Sequence, residues 1–160
     1  MALRIGTAIL GSGFTGRLMG TVRDREGLTY NISAAISDDN IVDGKWDISA
    51  SFAPALLEQG IAATRRELQR WWKDGVTEDE LTARKQGVIG TYRVGLSTTT
   101  GLANAILITI QRGYDLNRLE ELPDAVNALT RESVNSAIKN HINPGKMVLV
   151  KAGSVAPAAN

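Results

Sequence analysis

Two segments of alternating apolar and polar residues, separated by a run of turn formers, constrain the fold of this chain most. Residues 29–37 read TYNISAAIS and residues 45–52 read KWDISASF, so each has the period of two that is typical of a half-buried β-strand. The intervening residues 38–44, DDNIVDG, are of the types that form turns. The pattern predicts an antiparallel β-hairpin with a long loop.

The remainder of the chain has mainly helical spacing. Residues 3–10 and residues 15–25 are each predicted to form a helix, with Thr15 as the N-cap of the second and Gly27 as its end. Downstream of the hairpin, helices are predicted for residues 54–75, 77–95, 98–110, a shorter segment interrupted by Pro123, and 130–140. The last apolar run, residues 146–151 (KMVLVK), is predicted to be a strand that returns to the sheet of the hairpin.

This order of elements predicts the fold class. A helix, a hairpin, several helices and a final strand are typical of an α+β fold, in which helices pack on one face of an antiparallel sheet. A length of 160 residues is enough for one domain with a core of its own. We therefore expect a single domain over residues 1–152 and a frayed tail over residues 153–160, which are rich in alanine.

The residue types present exclude several kinds of active site. Zinc in a peptidase needs three ligands from His, Cys, Asp and Glu, commonly two histidines one helical turn apart with a catalytic Glu between them. The chain has one histidine, His141, and no cysteine. A zinc-binding histidine pair and cysteine chemistry are therefore impossible within it. His141 is predicted to lie at the C-terminus of the last helix, where a cation is stabilised by the helix dipole.

Charge and hydropathy argue against two classes of partner. Eighteen Lys and Arg against 17 Asp and Glu leave a net charge of +1, which offers no global attraction to nucleic acid. No apolar run approaches the roughly 18 residues of a membrane-spanning helix, and the N-terminus lacks a signal-peptide pattern. We expect no nucleic-acid partner and no membrane span, whereas a periplasmic and a cytoplasmic or matrix location both remain open.

Two neighbouring segments near the N-terminus form a recognisable pattern. Residues 10–18 read LGSGFTGRL, and residues 22–30 read VRDREGLTY. A turn of small residues is followed by a helix that contains Arg-Leu, and Arg23 precedes Tyr30 by seven positions at the start of a strand. This arrangement resembles the C-terminal-type domain of insulinase-like zinc metallopeptidases, the family that includes mitochondrial processing peptidase and pitrilysin. The resemblance extends to about residue 150, through the turn at residues 143–146 (NPGK).

The resemblance implies a role for two side chains. Arg23 and Tyr30 would be both the catalytic and the substrate-binding residues, and they would hold the carbonyl oxygen of a peptide substrate. The chain itself would bind no metal or other cofactor, and zinc would be carried by a partner domain or subunit. Arg25 competes for the assignment, but its separation of five residues from Tyr30 fits the family pattern less well. The chain on its own would therefore be inactive.

Three functions follow as alternatives. In the first, the chain is the C-terminal domain that binds peptides and stabilises the oxyanion in a zinc metalloendopeptidase. In the second, it is a catalytically inert scaffold of the same fold within a larger complex. In the third, it is an unrelated α+β domain that binds a small molecule as a monomer.

The chain departs from the family pattern at its beginning. Domains of the resembling family start with additional strands before the first helix, and these strands are missing here. Because an unpaired sheet edge exposes backbone donors and acceptors, their loss would leave that edge open. We expect a piece truncated at the N-terminus, a partner that fills the edge, or self-association through it.

Two further patterns are assigned structural roles. Residues 11–16 (GSGFTG) resemble a phosphate-binding loop, but no Lys follows and no strand precedes them, so close packing of backbone beside the hairpin is favoured. Trp71 and Trp72 lie near several arginines and could stack on nucleic-acid bases. Adjacent helical residues point about 100 degrees apart, so only one of the two can face the core squarely.

Overall fold

A two-stranded antiparallel sheet forms as the alternation predicts. The computed structural model describes residues 1–37 and 44–153, and within them β1 (Thr29–Ser37) pairs with β2 (Lys45–Phe52). The register sets Ala34 opposite Ile48. The predicted loop falls mainly on residues 38–43, which lie outside the described residues, as do residues 154–160 of the predicted tail.

Helices make up most of the rest. The described residues contain six α-helices, namely α1 (Ala2–Gly11), α2 (Leu57–Asp74), α3 (Glu78–Leu96), α4 (Thr99–Gln111), α5 (Arg118–Asn127) and α6 (Arg131–His141). A π-helix (Met19–Arg25) lies between α1 and β1, and single 3-10 turns occur at Pro54–Leu56 and Pro144–Lys146. A largely helical chain with one antiparallel hairpin is an α+β fold, which confirms the predicted class.

The core forms where α1 packs against the sheet and the later helices. Trp71 of α2 is fully buried, and its indole Nε1 donates a hydrogen bond to the carbonyl of Gly6 at 3.0 Å. Its ring stacks on that of Trp46 from β2, with centroids 6.0 Å apart. Trp46 in turn donates to the hydroxyl of Thr7 at 2.8 Å. Trp72 is only partly buried, so one tryptophan of the pair faces the core, as the helical geometry predicts.

The glycine-rich segment begins with a close approach of two backbones. A Cβ atom added to Gly11 would lie 2.4 Å from the backbone nitrogen of Ala34 in β1. No side chain larger than hydrogen fits between α1 and β1 at this point. The predicted packing of glycine backbone beside the hairpin is therefore confirmed at Gly11.

An ion pair fixes the turn between α2 and α3 against the N-terminal part of the chain. Thr77 and Glu80 form a reciprocal capping box at the start of α3, as predicted. Arg17 donates two hydrogen bonds to the Glu80 carboxylate, each 2.6 Å long, and a third to the carbonyl of Gly75. Burial raises the pKa of Glu80, but the hydrogen bonds from Arg17 and Thr77 and the positive charge of Arg17 outweigh burial and hold it below its ordinary value.

Three local predictions are wrong. Thr15 is not a helix cap, because residues 12–16 form turns and bends before the helical segment begins at Arg17. Pro123 does not interrupt its segment but lies inside α5. The carbonyl of Leu119, which a residue at position 123 would normally engage, accepts a hydrogen bond from the Tyr92 hydroxyl instead, so the proline leaves no acceptor unsatisfied there.

The third correction concerns the final strand. Residues 147–150 are not part of the sheet, which has two strands in the described part of the chain. They follow the Pro144–Lys146 turn as an irregular segment, and Val148 and Val150 are 88% and 81% exposed. An apolar β-branched run becomes a strand only when a neighbouring backbone supplies its hydrogen bonds, and in the described residues no strand pairs with it.

Candidate functional site

The π-helix carries Arg23 immediately before the chain turns into β1. Its wider hydrogen-bonding pattern is closed by the amide of Glu26, which donates to the carbonyl of Thr21 five residues earlier at 3.0 Å. Gly27 then adopts a φ of +64°, and its amide donates to the carbonyl of Arg23 at 2.9 Å. Short π-helical segments are rare and occur frequently at functional sites, because the extra residue per turn re-aims side chains.

A β-bulge presents Tyr30 at the start of β1. The register places Thr29 opposite Phe52 and Asn31 opposite Ser51, so Tyr30 is the extra residue on its strand. The Asn31 amide donates to the Thr29 hydroxyl at 3.2 Å, and this hydroxyl also contacts the carbonyl of Ser51, which ties the bulge to β2. Bulges redirect side chains next to active sites. The side chain of Tyr30 is consequently 84% exposed although it lies within a strand.

The two predicted residues come together, and a third joins them. The guanidinium carbon of Arg23 lies 5.1 Å from the centre of the Tyr30 ring and 5.3 Å from the centre of the Phe14 ring. Both distances are within the range of cation–π attraction. Phe14 is 75% exposed. Arg23, Tyr30 and Phe14 are hereafter called the arginine stack.

The polar atoms of the stack are open to a ligand. Within residues 1–37 and 44–153, the Tyr30 hydroxyl has no hydrogen-bond partner, and the nearest carboxylate oxygen to Arg23 belongs to Asp24, 3.8 Å from Nη1. Asp24 is itself more than half exposed, so this pair is weak. A cavity of about 180 Å³ borders the stack and is lined in part by Met19, Tyr30 and Ile32. An external carbonyl or carboxylate can therefore approach Tyr30 through this cavity, which Arg23 does not itself line.

Arg25, the competing arginine, is differently placed. Its Nε donates to the carbonyl of Gly20 at 3.2 Å, and its Nη2 donates to the hydroxyl of Thr21. These bonds hold the side chain against the π-helix that bears it. Arg23, rather than Arg25, is the arginine that meets Tyr30.

The described residues do not form a metal site. No group of three or more His, Asp and Glu side chains in residues 1–37 and 44–153 comes close enough to hold an ion. His141 is the last residue of α6, exposed to solvent, which is the position predicted for it. The residues present in this part of the chain therefore do not fit zinc. Nor does any helix of this part combine the length and apolarity that crossing a membrane requires.

Comparison with a family model settles the relationship. Residues 1–88, more than half of the chain and including the whole arginine stack, match the model described as the peptidase M16 inactive domain. The chain belongs to the peptidase M16 inactive domain family. The predicted resemblance to a non-zinc peptidase domain is thereby confirmed, whereas the roles of Arg23 and Tyr30 remain predictions.

Solved structures show the same M16 fold. A peptidase M16 inactive domain from Pseudomonas fluorescens is 26% identical in sequence and aligns with a TM-score of 0.79 over 91% of this chain and 34% of its own. The periplasmic protease PqqL from Escherichia coli is 21% identical, with a TM-score of 0.72 over 86% of this chain and 15% of its own. Because PqqL is only 21% identical to this chain, the comparison with it supports the fold alone.

A curated relative of this M16 chain is named a non-peptidase homolog. The non-peptidase homolog YmxG of Helicobacter pylori is 24% identical over 140 residues, which cover 83% of this chain and 31% of the relative. The chain thus spans about a third of the length of YmxG and of the Pseudomonas protein. The activity and partners of a whole M16 protein are therefore matters for a proposal.

Sequence reasoning missed Phe14 and both backbone irregularities. In the sequence Phe14 is only one residue of a glycine-rich turn. Its flanking glycines and its unexplained apolar side chain were the available signals. The π-helix and the bulge give no comparable signal in the sequence. Each depends on how many residues must fit between two elements whose positions are fixed by packing.

Proposed function

We propose that this chain is the substrate-binding and oxyanion-stabilising domain of an insulinase-like zinc metalloendopeptidase, whose zinc motif lies on another domain or subunit. The observation that carries the proposal is the arginine stack. It brings the guanidinium of Arg23 against the ring of Tyr30 and leaves both donors without a strong partner in the described residues. Membership of a peptidase family supports the same assignment.

The proposed chemistry uses two donors of different character. Peptide hydrolysis passes through a tetrahedral intermediate in which the carbonyl oxygen becomes negative. The Tyr30 hydroxyl would donate a neutral hydrogen bond to this oxygen, and Arg23 would donate a charged one, because a guanidinium stays protonated at every relevant pH. Zinc on the partner would activate the attacking water. The rings of Phe14 and Tyr30 keep the guanidinium in place before the substrate arrives, so little reorganisation is needed.

Removing the phenolic hydroxyl tests the proposal. Tyr30→Phe keeps the ring and hence the stack, but it removes one donor. Measured on the chain assembled with its zinc-bearing partner, we expect kcat to fall by about a hundredfold to a thousandfold, as for the loss of one oxyanion donor. Because Tyr30 is 84% exposed, the melting temperature of the chain should change little.

A neighbouring arginine provides the matched control. Arg23→Gln should lower kcat as Tyr30→Phe does, whereas Arg25→Gln removes the same charge two residues away and should leave kcat near that of the wild type. Wild-type turnover in both Tyr30→Phe and Arg23→Gln would contradict the proposal. If kcat fell in Arg25→Gln alone, Arg25 rather than Arg23 would be the arginine that stabilises the oxyanion.

A second candidate function is an inert scaffold domain of the same fold. The description of the Helicobacter pylori relative as a non-peptidase homolog favours it. The two candidates differ in what accompanies the chain. A zinc motif with two histidines and an intervening Glu, in the same polypeptide or in a neighbouring gene product, supports the first. Assemblies in which every M16 domain lacks that motif support the scaffold.

We further propose that the open edges of the sheet are sites of association. In the described residues β1 and β2 pair only with each other, so each has one edge whose backbone groups are unpaired. Such edges bind added strands from a peptide or from a second copy of the chain. The exposed apolar residues 147–150 offer a further segment that a strand could pair with. Peptide substrates and self-association are the two occupants that we expect.

A further inference from the structure

A separate cavity of about 550 Å³ opens between α1, α3, α4 and α5. It shares no lining residue with the cavity beside the arginine stack. Its size falls within the range of about 300 to 1,000 Å³ that is typical of sites for small molecules. Nothing in the proposed peptidase function uses it.

The charged residues that line this cavity are all positive. Arg4 comes from α1, Arg112 from the residue that follows α4, and Arg118 from the first position of α5. Each of the three is partly buried, and no Asp or Glu is among the residues that line the cavity. Partial burial weakens the screening of the Arg118 charge by water and salt, so this wall of the cavity attracts anions.

Arg118 is the strongest sign of a ligand. Its guanidinium carbon lies 5.5 Å above the centre of the Tyr114 ring, and no carboxylate of the described residues lies within ion-pair distance of it. Arg17, Arg66 and Arg131, by contrast, each pair with a Glu. A guanidinium that is partly withdrawn from water and held by an aromatic ring is arranged to receive a planar oxyanion through two parallel hydrogen bonds.

Apolar residues form part of the remaining wall, beside the polar Asn104 and Thr109. Ile108, Leu119 and Leu122 contribute side chains to it. A bare inorganic ion would leave this surface uncovered, whereas a ligand with a hydrocarbon part would cover it. We propose that the cavity binds a small organic oxyanion, a carboxylate or a phosphate monoester attached to a short apolar chain.

Titration of the full chain with simple probes tests this proposal. Octanoate and octyl phosphate carry a carboxylate and a phosphate, respectively, on the same octyl chain. As controls, 1-octanol has the octyl chain without an anion, and inorganic phosphate has the anion without the chain. By isothermal titration calorimetry, we expect at least one of the two octyl anions to bind at least tenfold more tightly than 1-octanol and inorganic phosphate. The tighter of the two octyl anions identifies the preferred headgroup. Binding should weaken as ionic strength rises.

Substitution of Arg118 gives the decisive comparison. Arg118→Gln should weaken binding of the preferred octyl anion at least tenfold, because hydrogen bonds to charged groups contribute about 1.5 to 3 kcal/mol, which corresponds to factors of roughly 10 to 150. Arg131→Gln removes the same charge from an exposed position outside the cavity and should bind as the wild type does. Arg118→Lys keeps the charge and should weaken binding less, which provides a second variant if Arg118→Gln does not fold.

Two results would overturn the proposal. One is that neither octyl anion binds more tightly than 1-octanol. The other is that the folded Arg118→Gln variant binds as tightly as the wild type and as the control Arg131→Gln. If Arg118→Gln does not fold, the same result for Arg118→Lys would overturn the proposal. Neither experiment measures peptide hydrolysis, so its outcome is independent of the role proposed for Arg23 and Tyr30.

Discussion

The guanidinium of Arg23 contacts two rings, those of Phe14 and Tyr30, and both therefore contribute to its position. The two contacts are of similar length, 5.3 and 5.1 Å, and both rings are largely exposed. An arginine side chain at a surface otherwise samples many rotamers, and ordering it costs free energy when substrate binds. Stacking supplies this order in advance.

Phe14 should consequently affect catalysis without touching the reacting atoms. In the assembled peptidase, Phe14→Ala should lower kcat/KM about twofold to fivefold, since cation–π contacts at exposed sites contribute about 0.5 to 1 kcal/mol. Phe14→Tyr keeps an aromatic ring and should restore the wild-type value, whereas Phe14→Leu should not. Equal kcat/KM values for the alanine, leucine and tyrosine variants would show that the ring does not position Arg23.

Gly11 is the residue at which α1 and β1 approach most closely, and this contact should dominate the effect of replacing it. In Gly11→Ala, the new Cβ atom would lie 2.4 Å from the backbone of Ala34, so the two elements must separate. We expect a loss of about 1 to 3 kcal/mol in the free energy of unfolding, measured in urea. The control is Gly20→Ala, because a Cβ atom at Gly20 meets nothing within 4 Å. Equal stability of the two variants would refute the close packing.

At the scale of elements, Arg17 joins the segment before the π-helix to the turn between α2 and α3. Its bonds to Glu80 and Gly75 cross 63 and 58 residues of sequence. Glu80 also belongs to the capping box of α3. The carboxylate thus serves two elements, and its protonation would weaken both.

This arrangement predicts a particular dependence of stability on pH. Because the pKa of Glu80 is lower in the folded chain than its ordinary value, its contribution to stability is fully present above the unfolded pKa of about 4.3 and is lost as pH falls through the folded value. Urea unfolding at pH 7 and below pH 4 should show this loss. Arg17→Met should cost about 1 to 2 kcal/mol at pH 7 and less at low pH, because the pair is partly exposed.

A matched variant isolates that effect. Arg131→Met breaks the pair with Glu132, in which both side chains are largely exposed, and should leave stability almost unchanged at either pH. If Arg17→Met lost as much stability below pH 4 as at pH 7, the ion pair would not be the cause.

The elements that follow from a local sequence pattern could be predicted. Those that depend on how separate segments of the chain pack together could not. The hairpin, the long helices and the capping box at Thr77 follow from alternation, helical spacing and side-chain bonds within a few residues. The bulge at Tyr30 depends on the register of β2, and the helix through Pro123 depends on a hydroxyl of α3. The apolar run at residues 147–150 has the composition of a strand but pairs with no strand in the described part of the chain. Its prediction failed because pairing is a property of two segments.

The same division applies to the candidate site. Arg23 and Tyr30 are named from the sequence pattern, and the structure places the Arg23 guanidinium carbon 5.1 Å from the centre of the Tyr30 ring, whereas their role stays a prediction. Phe14 could not be assigned, because its contact with Arg23 depends on the path of the turn at residues 12–16.

On the scale of the whole molecule, the chain spans about a third of the length of YmxG and of the Pseudomonas protein. Its two open sheet edges and its exposed residues 147–150 are the surfaces that we propose for association. Sedimentation equilibrium should show concentration-dependent self-association of the chain. Val148→Lys should reduce it without lowering the melting temperature, since Val148 is 88% exposed. A chain that stays monomeric at every concentration would leave the edges to a different partner.

The central claim is that Arg23 and Tyr30 act together on one oxygen of a peptide substrate. A double-mutant cycle in the peptidase assembled with its zinc-bearing partner tests it most directly, with kcat/KM measured for wild type, Arg23→Gln, Tyr30→Phe and the double variant. We expect each single change to cost about a hundredfold or more, and the double variant to lose much less than the product of the two, because groups that act as a unit are not additive. Wild-type kcat/KM in both single variants would contradict the claim.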